Sequence, residues 1–563
     1  MKTPTEVAVD RKVAPDRGAP DPTSGRRVRA LAIVGVFVGV VAVAFANQIS
    51  EVLVALLPGR ATIPSSGTGM GSLGDEGPTI VRRSGAVIVV AAIVGLGAGR
   101  WVSSPGTWTE RGGRLALGAV VAGTMLWYGW LAAPHNGFST NARFHWVDYL
   151  TWDSDRFTYA AGRIPHLLLY DSPHVWQAIN IGVLAVLLYA IGRRLGYSTW
   201  LSAGLAAVPA ISGNLLLFAT AAEDVVLNTT LLLAVVLVSL RRQPVLLGLT
   251  IGLAVLGRPS FMVLIGCVVV AEIARGLRSK ERGIEWRYTG VATGVAAATV
   301  VASQVVFAIL GDRYLFVGGQ IVRSDALDQW VPRAVDGFTV SPFSGVYGLH
   351  LLWVMPLAML AGAVIAVVTA RGQTSQVAST IYLSCCFVVA HVLVHEARPL
   401  AYYNTRYLAY TFPFLFFMAV SLLAHRRFPS HPAARPVAIV LLVLGTAVVP
   451  ADPVGAKQWV ESRAEVELWA ARDELRDLAD GRFVFLNFGD VLSRNYVAYV
   501  LRRDVATIRL VGDPSGALVR PDLPSGRGDD IGSGTVVISH RSDPWTNESP
   551  VLEVGDFIVD VIG

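Results

Sequence analysis

Apolar runs of about 18 residues or more recur through the first 450 positions of this chain, each long enough to cross a bilayer. In lipid, backbone N–H and C=O groups find no water, so such runs must satisfy their own hydrogen bonds as helices. Spans are expected near residues 30–48, 84–102, 114–133, 176–192, 200–218, 222–240 and 244–257. Others are expected near 260–276, 288–310, 346–369, 376–395, 407–424 and 435–450, about thirteen in all. Composition points the same way. Hydrophobic residues make up 53% and charged residues 16% of the 563 positions, with a mean hydropathy of +0.52. A soluble domain carries about 25% charged residues, so an ordinary soluble protein is excluded. Cys267, Cys385 and Cys386 all fall in apolar spans and read as small packing residues rather than disulfide partners or a metal set.

The loops orient the spans. With the amino terminus in the cytoplasm, Arg111 and Arg114, Arg193-Arg194, Arg241-Arg242, Arg275 to Arg287, Arg371 and Arg426-Arg427 all fall on the cytoplasmic side. That is the bias the positive-inside rule requires. Arg60 and Arg82-Arg83 run against it, within the Gly/Ser-rich stretch 58–83. The formal net charge of +6 is spread among these short loops and marks orientation, not nucleic-acid binding. Residues 1–25 lack periodicity and read as a disordered cytoplasmic tail, ahead of a membrane domain over 26–450. The Ala/Val/Gly/Arg-rich composition suits a bacterial chain, so the membrane is expected to be the plasma membrane.

From about 451 the chain turns charged and amphipathic. A helix is expected from Trp459 to Asp480, strands over 482–488 and 506–511, and a helix from Val491 to Arg503. Further strands are expected at 535–539 and 557–561. This is the pattern of a small α/β domain, and span parity puts it outside the cytoplasm. The expected fold is therefore an α-helical polytopic membrane protein with a small C-terminal α/β extracytoplasmic domain.

The same parity brings the chemistry-bearing residues to the outer face. The loop 134–175 holds Asp148, Asp153 and Asp155 among Trp146, Tyr149 and Trp152. The aromatics also suit an amphipathic helix in the headgroup plane, but aspartates gain nothing from an anionic surface. Glu223-Asp224 lies between apolar runs without Gly or Pro. An acid near the bilayer interior costs roughly 2.5–3.5 kcal/mol, which marks it as functional unless the hairpin tip reaches water. Arg258, in Gly257-Arg258-Pro259, repeats the pattern with opposite sign. A guanidinium outside runs against the charge bias, so it needs a partner. A phosphate suits its planar fork; snorkelling or pairing with Glu223 is the competing explanation. Arg398, Arg406 and Tyr407 reach the same face.

An acidic motif in the first large outer loop, an acidic pair two spans later and then "GLAVLGRPS" together resemble the GT-C superfamily of integral-membrane glycosyltransferases. The nearest likeness is to the protein mannosyltransferase and aminoarabinose transferase type. Its Asp-Glu-x-Arg-Tyr motif is matched by Asp153, Arg156 and Phe157, with Ser154 in place of the second acid and Asp155 one position later. "NTRYLAYTFPF" (404–414) is similar to the Arg-Tyr segment that precedes a late helix in such enzymes. The resemblance covers about residues 114–424 and implies a polyprenyl-phosphate-linked sugar donor, an inverting displacement and a glycan, lipid or protein acceptor. It implies Asp153 as general base, with Asp155 the alternative, and Glu223, Asp224 and Asp148 positioning acceptor or sugar. Arg258, Arg406, Arg398 and Tyr407 would bind the lipid phosphate. Asp153-Ser-Asp155 also has the Asp-x-Asp form of a Mg²⁺ or Mn²⁺ site. The rival is a transporter or flippase of an anionic precursor. Such sites lie near the midplane within internal repeats, whereas these charges cluster at outer ends and the membrane part shows no repeat.

Overall fold

The computed structural model describes residues 22–56, 107–132, 173–211, 225–278, 283–309, 355–396, 410–425, 434–445, 463–487, 534–542 and 550–562. It also describes the short strands at 349–350, 448–449 and 508–510 and scattered positions within 78–92 and 497–502. The helices are α1 (Pro22–Ala44), α2 (Ala46–Leu56), α3 (Thr107–Ala132), α4 (Pro173–Arg194), α5 (Thr199–Ala206) and α6 (Val208–Ile211). Next come α7 (Val225–Arg241), α8 (Pro244–Gly257), a 3-10 turn (Pro259–Met262), α9 (Val263–Arg278) and α10 (Trp286–Ile309). The bundle ends with α11 (Met355–Thr369), α12 (Ser375–Glu396), α13 (Phe412–Ala424) and α14 (Ala434–Gly445).

Among the described residues four helices are long and apolar enough to cross a membrane: Val175–Arg194, Ser260–Arg278, Trp286–Val306 and Ser375–Leu393. A fifth span is formed if α1 and α2, bent by 86° where they meet, count as one. Helices stand at most of the expected spans. The expected span 200–218 begins as α5 and α6, interrupted at Ala207, and 84–102 lies mostly outside the described residues.

Helix α7 is the centre of the bundle, packing against α4, α8, α12 and α13. Its sequence is apolar on every side, which suits a helix enclosed by others rather than one with a wet face, and most of its side chains are buried. Helices α8 and α10 cross closely because α8 presents glycine at the contact. A Cβ on Gly248 would lie 2.5 Å from the Ala292 carbonyl oxygen, and one on Gly252 would lie 2.6 Å from the Thr299 side chain. Small residues spaced by four let helix backbones approach where no hydrophobic effect drives them together.

The C-terminal part holds α15 (Arg463–Ala470), α16 (Arg472–Ala479) and a five-stranded sheet in the order β4-β3-β5-β7-β6. Its strands are β3 (Val484–Asn487), β4 (Ile508–Leu510), β5 (Val536–His540), β6 (Leu552–Val554) and β7 (Phe557–Val561). Strand β3 runs parallel to β4 and β5, whereas β7 runs antiparallel to β5 and β6. The period-two pattern turns Val484, Leu486, Val536, Ile538 and Val559 to one face. There they pack on Leu468, Trp469 and Leu475. Strands thus stand where the apolar alternation predicted them, while the expected helix 459–480 is two helices divided at Ala471. A two-residue ladder, β1 (Leu349–His350) with β2 (Val448–Val449), joins two distant stretches of the membrane part.

Candidate functional site

Helix α8 has an arginine at each end, and each sits in a polar cluster. At the carboxyl end, Pro259 disfavours helical geometry for the residue before it. Arg258 is accordingly extended (φ −158°, ψ 116°) and caps α8, its backbone N–H donating to the Ala254 carbonyl at 2.8 Å. The break turns the Arg258 side chain into the bundle, where it is only 8% exposed. Its Nη1 donates to the Tyr410 hydroxyl at 3.0 Å, and its guanidinium carbon lies 5.0 Å from the centre of the Tyr410 ring. Asn228, in the first turn of α7, directs its Nδ2 at the same hydroxyl from 3.5 Å.

Gly257 makes room for this. A Cβ there would stand 2.4 Å from Asn228 Oδ1, so only glycine lets α8 end against α7. Beneath the hydroxyl lies an aromatic wall. The fully buried Tyr410 meets Phe261 edge-on with ring centres 5.2 Å apart, and Phe261 contacts Phe387 at 5.9 Å. His391 stacks on Phe387 at 5.1 Å and is itself completely buried. Each such ring pair contributes about 0.5–1.5 kcal/mol beyond its burial.

At the amino end of α8, Arg242 (φ 54°) sits in the turn after α7. Its Nη1 donates to Glu272 Oε2 at 2.9 Å and to Ser379 Oγ at 3.1 Å, and its Nη2 donates to Glu285 Oε2 at 2.7 Å. The guanidinium lies 3.8 Å over the Tyr288 ring. Burial works against the charged form of Arg242, yet the hydrogen bonds to Glu272 and Glu285 outweigh it and raise its pKa above the ordinary value. Arg275 binds the same Glu272 through Nε at 2.8 Å and through Nη2, and also reaches Ser375 Oγ at 3.2 Å and the Gly283 carbonyl at 3.0 Å. The α7–α8 turn, α9, α10 and α12 are thereby tied together at one end.

Of the residues singled out from the sequence, Arg258 is described. Asp148, Asp153, Asp155, Glu223, Asp224, Arg398, Arg406 and Tyr407 lie outside the described residues. Their chain neighbours are informative nonetheless. Helix α7 starts at Val225, the residue after Asp224, and Tyr410 follows Tyr407 by three positions. Asn228, Tyr410 and His391 were not anticipated as members of this cluster. Tyr410 lies inside "NTRYLAYTFPF", and Asn228 follows Asp224 by four positions. A buried-polar reading of apolar spans would have flagged all three, because a polar side chain in a lipid-embedded helix needs a partner.

No protein-family model and no curated protein matches the sequence. Among solved structures, the oligosaccharyltransferase of Archaeoglobus fulgidus, tethered with an acceptor peptide containing the NVT sequon via a disulfide bond, is similar over 71% of this chain. The identity is 10% and the TM-score 0.39, and the chain spans 64% of that protein's length. The archaeal oligosaccharyltransferase AglB from Archaeoglobus fulgidus, in complex with an inhibitory peptide and a dolichol-phosphate, is similar over 75% of this chain and 69% of its own. Here the identity is 10% and the TM-score 0.40. At this identity and these scores the likeness bears on neither activity nor residue roles.

Proposed function

We propose that this chain is an integral-membrane glycosyltransferase that moves a sugar from a polyprenyl-phosphate-linked donor to a glycan, lipid or protein acceptor on the extracytoplasmic face. The observation that carries this reading is the Arg258 end of the bundle. A buried guanidinium sits at a helix break, bonded to Tyr410. The chain segments around it run directly into Glu223-Asp224 and Arg406-Tyr407. The acid-paired Arg242 end then faces the cytoplasm, where arginine-rich loops belong, and the domain over 451–563 lies outside.

In this reading the acceptor hydroxyl oxygen attacks the anomeric carbon from the face opposite the lipid phosphate, inverting the configuration. The bond from that carbon to the phosphate oxygen breaks as the new glycosidic bond forms. Asp153 accepts the hydroxyl proton, a contribution of about 10²–10⁴-fold for a general base, with Asp155 the alternative. Negative charge grows on the departing lipid phosphate, and Arg258 and Arg406, with Arg398 and Tyr407, stabilise it where it develops. Glu223, Asp224 and Asp148 orient the acceptor or sugar.

The test compares envelope glycans, by mass spectrometry, from cells lacking the gene and from cells complemented with Asp153→Asn or Asp155→Asn. Asparagine keeps the size of aspartate but accepts no proton. Loss of one glycan in the deletion strain, restored by the wild type and not by Asp153→Asn, is the expected result. Full restoration by both variants would remove the glycosyltransferase reading. Movement of a lipid-linked precursor across reconstituted vesicles without any sugar transfer would make the protein a flippase.

A further inference from the structure

The Arg258 guanidinium is oriented by something other than its own backbone. It leaves an extended residue at the end of α8, donates to the Tyr410 hydroxyl at 3.0 Å and lies 5.0 Å from the centre of that ring. That hydroxyl belongs to a side chain with no freedom of its own. Tyr410 is fully buried, its ring is braced edge-on by Phe261 at 5.2 Å, and its oxygen faces Asn228 Nδ2 at 3.5 Å. A phenol oxygen has two lone pairs, so it can accept from Arg258 and Asn228 together. Asn228 in turn is confined by Gly257, whose missing side chain leaves its amide oxygen just enough room.

We infer that Tyr410 is a positioning residue: with Asn228 it holds the Arg258 guanidinium at one angle, so that the planar fork meets a prenyl-phosphate headgroup ready oriented. The inference rests on the reading of Arg258 as the lipid-phosphate ligand. Three elements far apart in sequence meet in this contact, the first turn of α7, the end of α8 and the turn before α13. The ring contact adds to the hydrogen bond, because a cation over a desolvated aromatic face is attracted to it. A guanidinium held in place before binding loses less freedom when the phosphate arrives, which is how preorganisation raises affinity.

The experiment measures binding of farnesyl phosphate, and of uncharged farnesol as its control, to the full-length protein in lipid nanodiscs. Tyr410→Phe keeps the ring and its packing on Phe261 but removes the hydroxyl. It should weaken farnesyl phosphate about tenfold, the scale of one hydrogen bond to a charged group. Farnesol affinity should stay unchanged, while the melting temperature falls modestly because two buried donors lose an acceptor. Asn228→Ala should shift the same ratio in the same direction by less, and Arg258→Ala should reduce the preference for phosphate over alcohol more than either. Equal losses for farnesyl phosphate and farnesol in Tyr410→Phe would mean a packing role and overturn the inference. So would wild-type binding of both ligands by Tyr410→Phe with Arg258→Ala defective, an outcome that leaves the phosphate reading standing. A wild-type preference for phosphate in Arg258→Ala would defeat that reading itself.

Discussion

Each end of α8 buries an arginine, and the two are set among different groups. At the Arg242 end, guanidinium and carboxylate groups satisfy one another. Glu272 is shared by Arg242 and Arg275, Glu285 is bonded to Arg242, and Ser375 and Ser379 take further donors. At the Arg258 end, the cation donates to the Tyr410 hydroxyl and lies beside the face of the same ring. The ends are separated by a 14-residue helix, roughly 21 Å long at about 1.5 Å per residue. A cation matched by acids is a fastening. The acids around Arg242 give it a structural role, whereas the phosphate role proposed for Arg258 rests on its place at a helix break, beside the segments that carry Glu223-Asp224 and Arg406-Tyr407.

The largest effect that could break this contrast is at Glu272. Its side chain is 1% exposed and bridges two guanidinium groups. Glu272→Ala leaves Arg242 and the buried Arg275 without their shared acid, and removing one partner of a buried pair costs about 3–5 kcal/mol. A large fall in melting temperature of the detergent-solubilised protein is expected, with the preference for farnesyl phosphate over farnesol kept by whatever fraction remains folded. Loss of that preference in the folded fraction would mean the two ends are not separate devices.

A smaller effect is expected at Gly257. Alanine there drives a Cβ to 2.4 Å from Asn228 Oδ1 and 3.2 Å from Leu231 Cδ1, so α7 or α8 must move. Overpacking of this kind costs about 1–3 kcal/mol. Unlike Glu272→Ala, Gly257→Ala should lower both the melting temperature and the phosphate preference, because the displaced Asn228 faces the hydroxyl that Arg258 uses. Unimpaired phosphate preference would detach Asn228 from the Arg258 cluster.

The smallest effect calibrates the others. Arg541 and Glu553 form an ion pair at 2.7 Å in the C-terminal sheet region, with both side chains more than half exposed. Exposed pairs contribute about 0–1 kcal/mol. Arg541→Ala should therefore shift the melting temperature little, which circular dichroism can follow. A loss as large as that of Glu272→Ala would show that burial is not what separates the two kinds of pair.

Much of α8 was legible in advance. The expected span 244–257 coincides with the helix because Pro244 suits the first helical position and Pro259 ends helical geometry at Arg258. Strands β3, β4, β5 and β7 were likewise readable from runs of β-branched and aromatic residues. The cluster around Arg258 was legible only in part. The motif "NTRYLAYTFPF" points to Tyr407, whereas the tyrosine bonded to Arg258 is Tyr410, three positions on. The acids of the Arg242 end were invisible as partners, since Glu272 sits within an apolar span and Glu285 in a basic loop.

Hydropathy, proline placement and the distribution of arginines determined from sequence alone that the chain is a bundle of apolar helices followed by a region of strands, and which charges lie near helix ends. These are local properties, set by a solvent that cannot hydrogen-bond to the backbone and by the chain's own sterics. Which phenol meets Arg258, which carboxylate two arginines share and how near α8 approaches α7 were decided only by the tertiary structure. Those pairings join residues as much as 152 positions apart, and they follow from packing complementarity, in which a single missing Cβ at Gly257 settles where a side chain fits.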